Sequence, residues 1–313
     1  MRKIKNMDEL YDLIIIGAGP AGLAASIYAS RYKLDHLLLG VQIGGQINEI
    51  HQIENWPGDI SVSGFDLLSR FAEHAKNLGV SPQNESIVSI EKKEDAIFEV
   101  TTAKNVYKTR AVIMAMGTQY RKMNIPGEKE FTGKGVSYCA TCDAMFFRNK
   151  VVSVIGGGNA AVVVALELTD FASKVYLIYR GERFSAEPIW LDKMAANSKI
   201  VPIRNTNIIE IKGEQKVEKI ILDNAYEDQN HINVDGVFVE IGSEPGVELA
   251  QRIGVETDEQ GYIKVNADMS TNIPGIFAAG DITNGSNKFR QIITASAEGA
   301  LAANGAYKML KLK

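Results

Sequence analysis

The two cysteines of this 313-residue chain stand close together in the stretch Ser137 to Phe146, SYCATCDAMF. Only two residues separate Cys139 from Cys142, a spacing that brings two sulfurs within bonding distance across one turn. In such motifs the pKa of a thiol falls to about 3.5 to 7.5, so a thiolate able to attack disulfides is present near neutral pH. The pattern indicates redox catalysis, with two packed and inert thiols as the alternative.

Asp143, directly after the second cysteine, adds a group that can give and take a proton. Opening a disulfide needs a proton for the departing sulfur, and forming one needs an acceptor. A partly buried carboxyl serves both steps, whereas the alternative is an aspartate that caps a helix. A structural zinc site is disfavoured because such sites take about four ligands, and none of the four histidines lies at ligand spacing from the pair.

The cysteine pair lies between two segments that share one order of elements: a buried strand, a glycine turn and a helix. The first segment is YDLIIIGAGPAGLAASIYASR, and the second is KVVSVIGGGNAAVVVALEL with its strand at Val151–Ile155. Each is followed by further strand-like segments with charged turns. The repeat predicts an α/β fold with two Rossmann-like nucleotide-binding domains.

The end of the chain predicts how the two domains are connected. The segment GIFAAGDITN and the small-residue helix around Thr294 to Leu310 form a strand-to-helix unit that returns to the first domain. The second domain is therefore expected to be inserted into the first. The predicted boundaries are 1–117 with 243–313 for the first domain and 118–242 for the second, which carries the cysteine pair.

The first glycine turn, Gly17 to Gly22, has G-x-G-x-x-G spacing between a strand and a helix. Gly17 permits the tight turn, Gly19 lets backbone amides approach a pyrophosphate, and Gly22 lets helix and strand close up. The amides and dipole of the helix N-terminus then hold the phosphate charge. A turn that serves packing alone is the alternative, but the order of strand, turn and helix predicts a bound dinucleotide.

The second glycine turn, Gly156 to Ala161, is the variant that ends in alanine and predicts a second dinucleotide. An acid after the second strand favours NAD, whereas an arginine there suits the 2′-phosphate of NADP. Between Tyr179 and Arg183 the chain has both acidic and basic residues. Arg180 and Arg183 suit a phosphate clamp, but either arginine could equally form a solvated pair with Glu182.

The composition excludes several classes of function. With 45% apolar residues, 23% charged residues and a net charge of −4, the chain is expected to be a soluble protein that binds neither nucleic acid nor membranes. Glycines and a proline interrupt the apolar run Leu13 to Ser30, and acidic residues before it argue against a signal peptide. Two cysteines are too few for a disulfide scaffold, so a cytoplasmic location is expected.

Taken in order, these motifs resemble the low-molecular-weight thioredoxin reductases, flavoproteins of the pyridine nucleotide-disulfide oxidoreductase group, over nearly the whole chain. The shared stretches are GAGPAG at 17–22, GGQ at 44–46, ENWPG at 54–58, CATCD at 139–143, GGGNAA at 156–161 and GIFAAGD at 275–281. Arg290, Gln291 and the start of a helix follow them. The resemblance implies FAD in the first domain, NADPH in the second and a thioredoxin-like protein as partner.

The resemblance also assigns roles to single residues. Cys142 is expected nearer the flavin, Cys139 attacks the partner disulfide, and Asp143 is the acid and base. The residues expected to bind FAD are Gly17, Gly19, Pro20, Ala21, Gly22, Gly44, Gly45, Gln46, Asn55, Gly117, Gly280, Asp281, Arg290, Gln291 and Ile292. Those expected to bind the pyridine nucleotide are Gly156, Gly158, Asn159, Ala160, Arg180 and Arg183. A homodimer is also implied, as is rotation of the inserted domain about hinges near Gly117 and Gly242.

Two departures from the family pattern leave the electron donor open. The usual HRRxxxR stretch is here Tyr179 to Ser185, without its second and last arginines, and Val163 and Val164 replace a glutamate pair. NADPH, NADH and reduced ferredoxin are therefore all candidate donors. The rival functions are an NAD(P)H oxidase that returns electrons to oxygen and a flavin-bearing sensor whose partner recognises its redox state.

Overall fold

The computed structural model describes residues 10–312 of the chain and divides them into two compact units. One contains the described residues up to Gln119 together with those from Pro245 onward, and the other runs Tyr120–Glu244. Each unit is built on its own parallel sheet that carries a glycine turn and a helix. The predicted α/β fold with two Rossmann-type domains is confirmed.

Four short strands form the parallel sheet of the first unit. In spatial order they are Ile276–Ala278, Val112–Met114, Leu13–Ile16 and His36–Leu39. Leu13 and Ile15 pack among the helices, whereas Ile14 and Ile16 pack against a second sheet. A sheet covered on both faces needs apolar side chains at successive positions, which explains the unbroken apolar run of the central strand.

Three helices cover one face of this sheet, namely Pro20–Arg31, Gly64–Asn77 and Ile292–Lys311. The first and the last lie in direct backbone contact. A Cβ atom at Gly299 would lie 2.0 Å from the carbonyl oxygen of Ala21, so only glycine permits this approach. The close packing of these two helices brings the C-terminal helix beside the first glycine turn.

The first unit also contains a second sheet and several short helical segments. The second sheet contains, in spatial order, Leu10–Tyr11, Val106–Thr109, Phe98–Thr102 and Ile87–Lys92. The other helical segments are Glu248–Arg252 and the 3₁₀ turns Gly45–Glu49, Glu94–Ala96 and Ser286–Lys288.

The second unit has a parallel sheet of five strands and a smaller antiparallel sheet. The parallel order is Ile200–Ile203, Lys174–Ile178, Val151–Ile155, Gly236–Val239 and Val136–Ser137. The antiparallel sheet contains Ile208–Lys212, Lys219–Tyr226 and Gln229–Asn233. The helical segments are Glu128–Phe131, Ala140–Asp143, Ala144–Phe147, Asn159–Leu168 and Pro188–Ala195.

The chain crosses from one unit to the other at two strands, Thr118–Tyr120 and Ser243–Pro245, which pair with each other. Gly117 and Gly242, where the sequence predicts hinges, have φ angles of 65° and 91°. Glycine adopts such positive angles without steric cost. Within residues 10–312, no helix has the length and apolarity needed to span a bilayer.

Candidate functional site

Cys139 and Cys142 form a disulfide, with their Cα atoms 5.3 Å apart. Cys139 precedes the short helix Ala140–Asp143, and its sulfur accepts a hydrogen bond from the amide of Cys142 at 3.2 Å. The hydroxyl of Ser137 accepts from the Cys139 amide and donates to its carbonyl, both at 3.1 Å. Cys142 is exposed and Cys139 is half-buried. The backbone therefore holds a redox pair in which Cys142 is the more exposed residue.

The residues after the pair attach it to the second parallel sheet. Ala140, Ala144 and Phe147 belong to the same buried cluster as Val152 in the central strand. Phe147 packs directly on Gly236, where a Cβ atom would lie 2.3 Å from the ring. A pair built on this packed base keeps its position when its disulfide opens.

A buried carboxylate fixes the residue before the pair. Glu128 is 4% exposed and accepts hydrogen bonds from the Tyr138 hydroxyl at 2.6 Å and from the amides of Met123 and Asn124 at 2.8 and 2.6 Å. Burial, and then the Glu128 carboxylate, raises the pKa of Tyr138, so its hydroxyl remains a donor. This anchor was not predicted from the sequence, because contacts between a short helix and the loops beside it leave no periodic signal.

The first glycine turn has the shape of a phosphate cradle. Gly17 has a φ of 109°, and a Cβ atom there would lie 2.1 Å from the Ala115 carbonyl oxygen. A Cβ atom at Gly22 would lie 1.7 Å from the carbonyl oxygen of Gly17. At Gly19, by contrast, a Cβ atom would have no protein atom within 4 Å. The turn is tightly packed behind the helix N-terminus and open in front of it, as phosphate binding requires.

Several other residues predicted to bind FAD lie beside this turn. A Cβ atom at Gly45 would lie 3.6 Å from the Cα of Gly19, and one at Gly280 would lie 3.0 Å from the Cβ of Ala21. Gly44, with a φ of 89°, precedes Gly45 and turns the chain toward the cradle. The first unit thus brings three separate segments of the sequence to one place.

Side-chain amides connect further predicted residues across long sequence separations. Gln46 donates through Nε2 to the carbonyl of Thr118 at 2.8 Å, next to Gly117. Asn55 donates through Nδ2 to Oε1 of Gln291 at 2.9 Å. Gln291 precedes the helix Ile292–Lys311, so the start of this helix also belongs to the group.

A buried glutamate holds the turn that carries Asp281. Glu298 is 4% exposed and accepts hydrogen bonds from the Gly280 amide at 2.8 Å and the Thr283 hydroxyl at 3.0 Å. Burial raises the pKa of Asp281 to about 6, although Arg290 acts in the opposite direction. The Nε of Arg290 is buried and has no hydrogen-bond partner among the described residues. A buried donor of this kind is suited to a polar ligand.

The second glycine turn repeats the backbone of the first. The amide of Gly17 donates to the carbonyl of Leu39 at 2.7 Å, and that of Gly156 donates to the carbonyl of Ile178 at 2.9 Å. The residues that follow these two carbonyls are therefore equivalent. The first unit has Gly40 at this position, and the second has Tyr179.

The ring of Tyr179 packs on the middle residue of the second turn, Gly157. A Cβ atom at Gly157 would lie 2.5 Å from the ring, and one at Gly181 would lie 2.7 Å from it. The amide of Ser185 also donates to the carbonyl of Gly157 at 2.7 Å. This aromatic cover was not predicted, because the sequence shows a tyrosine after a strand but not where its ring packs.

The other residues predicted for the pyridine nucleotide line the edge of the same turn. Asn159 accepts a hydrogen bond through Oδ1 from the amide of Glu187 at 2.7 Å. Ala160, Arg180 and Arg183 are exposed. Gly158 has only the Ser185 hydroxyl near it, 3.9 Å from the position of a Cβ atom.

Comparison with known proteins identifies clear relatives. A family model described as pyridine nucleotide-disulphide oxidoreductase matches residues 11–299. The thioredoxin reductase of Peptoclostridium litorale is 42% identical, over 97% of this chain and 98% of its own length. The structure of Lactococcus lactis thioredoxin reductase has a TM-score of 0.92 at 38% identity, covering 97% of this chain and 100% of that one.

A ferredoxin-flavin thioredoxin reductase from Clostridium acetobutylicum is also similar, with a TM-score of 0.53 at 33% identity over 97% of this chain and 99% of its own. The resemblance inferred from the motifs is confirmed. It implies FAD and a pyridine nucleotide, and the two turns differ in how they suit these groups. The open first turn, the Asp281 carboxyl and the unpaired Arg290 donor fit FAD. The second turn, covered by Tyr179 and lacking two arginines, does not fit NADPH.

Proposed function

The chain belongs to the pyridine nucleotide-disulphide oxidoreductase family, and on this premise we propose that it is a flavin-dependent reductase of thioredoxin-like proteins. The observation that carries the proposal is the Cys139–Cys142 disulfide, with Asp143 beside it, in a chain that also has an open dinucleotide turn. Neither an oxidase nor a sensor requires such a pair. The bound flavin would supply a carrier that accepts two electrons and delivers them to the disulfide.

The protein's own residues would carry out the second half of the reaction. Two electrons and two protons convert the Cys139–Cys142 disulfide into two thiols. The Cys139 thiolate then attacks the partner disulfide and forms a mixed disulfide, and one partner sulfur departs. Attack of Cys142 on Cys139 restores the internal disulfide and releases the partner as a dithiol. Asp143, half-buried beside the pair, would donate the proton that each departing sulfur needs.

Two exposed apolar side chains near the cysteine pair support a protein substrate. Met145 is 64% exposed and Phe146 is 66% exposed. They lie two and three residues after Asp143, so a partner whose disulfide reaches the pair would cover them. Large apolar side chains in such positions are typical anchors of protein interfaces.

The central experiment is anaerobic and compares single cysteine variants. Cys139→Ser should still allow flavin reduction but should lower thioredoxin turnover by about a thousandfold or more, because the nucleophile is lost. Cys142→Ser should accumulate a mixed disulfide through Cys139, detected by mass spectrometry. Full turnover by Cys139→Ser, or trapping through Cys142 instead, would contradict the assigned roles. If peroxide formation is the only turnover observed, and Cys142→Ser leaves its rate unchanged, the oxidase is favoured.

As the electron donor we propose a reduced ferredoxin-type protein in place of NADPH. Two observations support this donor. Positions 181 and 185, where the family pattern has arginines, are glycine and serine, and the chain is similar to a protein named ferredoxin-flavin thioredoxin reductase. Two reduced carriers, each giving one electron, supply the pair that the disulfide needs. Anaerobic titration of the oxidised protein with NADPH, NADH and reduced ferredoxin distinguishes the donors. Rapid bleaching of the flavin by NADPH would overturn this choice.

We also propose a homodimer, which the resemblance implies. Apolar side chains are exposed on two helices of the first unit: Tyr28 is 42% exposed, Ile293 41% and Leu301 46%. A second copy would cover this face by presenting the same residues. Sedimentation of the wild type and of Leu301→Asp tests this, since the charge should yield monomers if the face is the interface.

A further inference from the structure

Tyr179 stands where a dinucleotide-binding fold recognises the adenosine ribose. In such folds the acid that follows the second strand bonds the ribose 2′-hydroxyl, or an arginine nearby accepts a 2′-phosphate. The hydrogen bond from the Gly156 amide to the Ile178 carbonyl, at 2.9 Å, identifies Tyr179 as the residue in this position. Its side chain has no charge to pair with a phosphate, and its ring takes up space that an acid would leave free.

The ring of Tyr179 is held from more than one direction. It packs on Gly157 and Gly181, where Cβ atoms would lie 2.5 and 2.7 Å from ring atoms. Phe184 stacks with it at a centroid distance of 5.6 Å and an interplanar angle of 25°. The guanidinium of Arg204 lies 5.4 Å from the centre of the Phe184 ring. Moving the tyrosine ring aside would therefore cost several contacts at once.

Tyr179 and Gly181 are coupled by their packing. Any side chain at position 181 begins with a Cβ atom, and this atom would lie 2.7 Å from the tyrosine ring. Real Cβ contacts are essentially never shorter than about 3.0 Å. The arginine expected at 181 from the family pattern thus cannot coexist with the ring in its present place. The missing arginine and the tyrosine ring are therefore sterically linked.

We infer that Tyr179 closes the second glycine turn to pyridine nucleotides and is the residue that determines donor specificity. The inference concerns nucleotide binding by this chain. Only its consequence, that electrons reach the flavin from a protein donor, rests on the proposed function.

The test measures binding of NADP⁺ and NADH to the flavin-loaded protein by calorimetry. It compares the wild type, Tyr179→His, Gly181→Arg and the double variant, with NADP⁺ as a probe that carries no electrons. The wild type and Gly181→Arg should show no binding up to about 1 mM, the upper end of common KM values. Tyr179→His should gain affinity, and the double variant should bind NADP⁺ at least about tenfold more tightly than either single variant.

Tyr176→His is the matched control, because Tyr176 lies on the strand that precedes Tyr179 but packs on Tyr226, with centroids 6.1 Å apart. It should leave nucleotide binding absent. Flavin content and thermal midpoint show which variants are folded. If Gly181→Arg does not fold, the gain by Tyr179→His over the wild type decides alone.

Three results would overturn the inference. They are binding of NADP⁺ or NADH by the wild type below about 1 mM, full affinity in Gly181→Arg alone, and no gain in any variant that lacks the tyrosine. Failure of the proposed function would appear in a different measurement. Dithionite-reduced protein would then fail to reduce thioredoxin, whatever the nucleotide affinities are.

Discussion

The two glycine turns begin with the same backbone and end in different surfaces. At Gly17 and at Gly156 a Cβ atom would meet a carbonyl oxygen at 2.1 Å, that of Ala115 in one unit and Glu240 in the other. This packing requirement preserves the first glycine whether or not a ligand binds. The ligand surface depends on residues outside the motif, above all Gly40 in the first unit and Tyr179 in the second. A glycine motif therefore predicts a turn more securely than it predicts an occupant.

The largest effect is expected where the turns differ in their last residue. Gly22→Ala would place a methyl 1.7 Å from a backbone oxygen and should destabilise the first unit by more than about 3 kcal/mol. The second turn already has Ala161 at the matching position. Ala161→Gly should cost only about 1 to 2 kcal/mol, through lost helix propensity and a lost buried methyl. Denaturant unfolding measures both, and equal losses would contradict the asymmetry.

A matched pair of substitutions separates the functions of the two turns. Gly19 and Gly158 each precede a helix with ordinary φ angles of −81° and −91°, so valine fits the backbone at both. Gly19→Val should lower flavin affinity by about a hundredfold, because two charge-assisted hydrogen bonds at about 1.5 kcal/mol each are blocked.

Gly158→Val should leave the flavin content at the wild-type level. Flavin fluorescence after dialysis measures both variants, and far-UV circular dichroism confirms that each is folded. A flavin loss in Gly158→Val equal to that in Gly19→Val would contradict the assignment of the flavin to the first turn alone.

The Asp281 carboxyl of the first site predicts a pH effect of about 3 kcal/mol. The pKa of Asp281 is raised to about 6 from 3.8 by burial, so between about pH 4 and 6 the folded state binds this proton more tightly than the unfolded state does. The free energy of unfolding should therefore fall by about 3 kcal/mol as the pH rises through this window. Asp281→Asn in flavin-free protein should remove that part of the slope. Parallel curves of unfolding free energy against pH for the wild type and the variant would refute this prediction.

The smallest effect is expected at Ser185, which closes the second turn mainly through its backbone. Its amide donates to the Gly157 carbonyl at 2.7 Å, whereas its hydroxyl contacts the same oxygen only at 3.3 Å. Ser185→Ala should lower stability by about 0.5 kcal/mol. Ser185→Pro removes the amide donor and should cost more. Thermal unfolding compares the two variants, and a larger loss in the alanine variant would mean that the hydroxyl matters more.

Elements with a local signal were predictable from the sequence. The strand Val151–Ile155 has the predicted bounds. Buried strands next to glycine turns combine apolar runs with a stop that glycine marks, so few alternatives compete. The role of the cysteine pair was equally local, because its chemistry depends on a separation of two residues.

Contacts between distant segments were not predictable in the same way. The carboxylates of Glu128 and Glu298 are buried anchors for Tyr138 and Gly280. In the sequence they are ordinary acids on helical segments, and acids are usually exposed. Only packing shows that these two are surrounded by donors.

What the sequence determined by itself is the repeated backbone and the redox pair. Both depend on residues a few positions apart, whose steric and chemical requirements act before the chain is packed. The tertiary structure decided which turn is open, because the ring that covers Gly157 belongs to a residue 22 positions later and is held by Gly181 and Phe184. Side-chain packing is a property of neighbours in space, so a one-dimensional pattern cannot specify it.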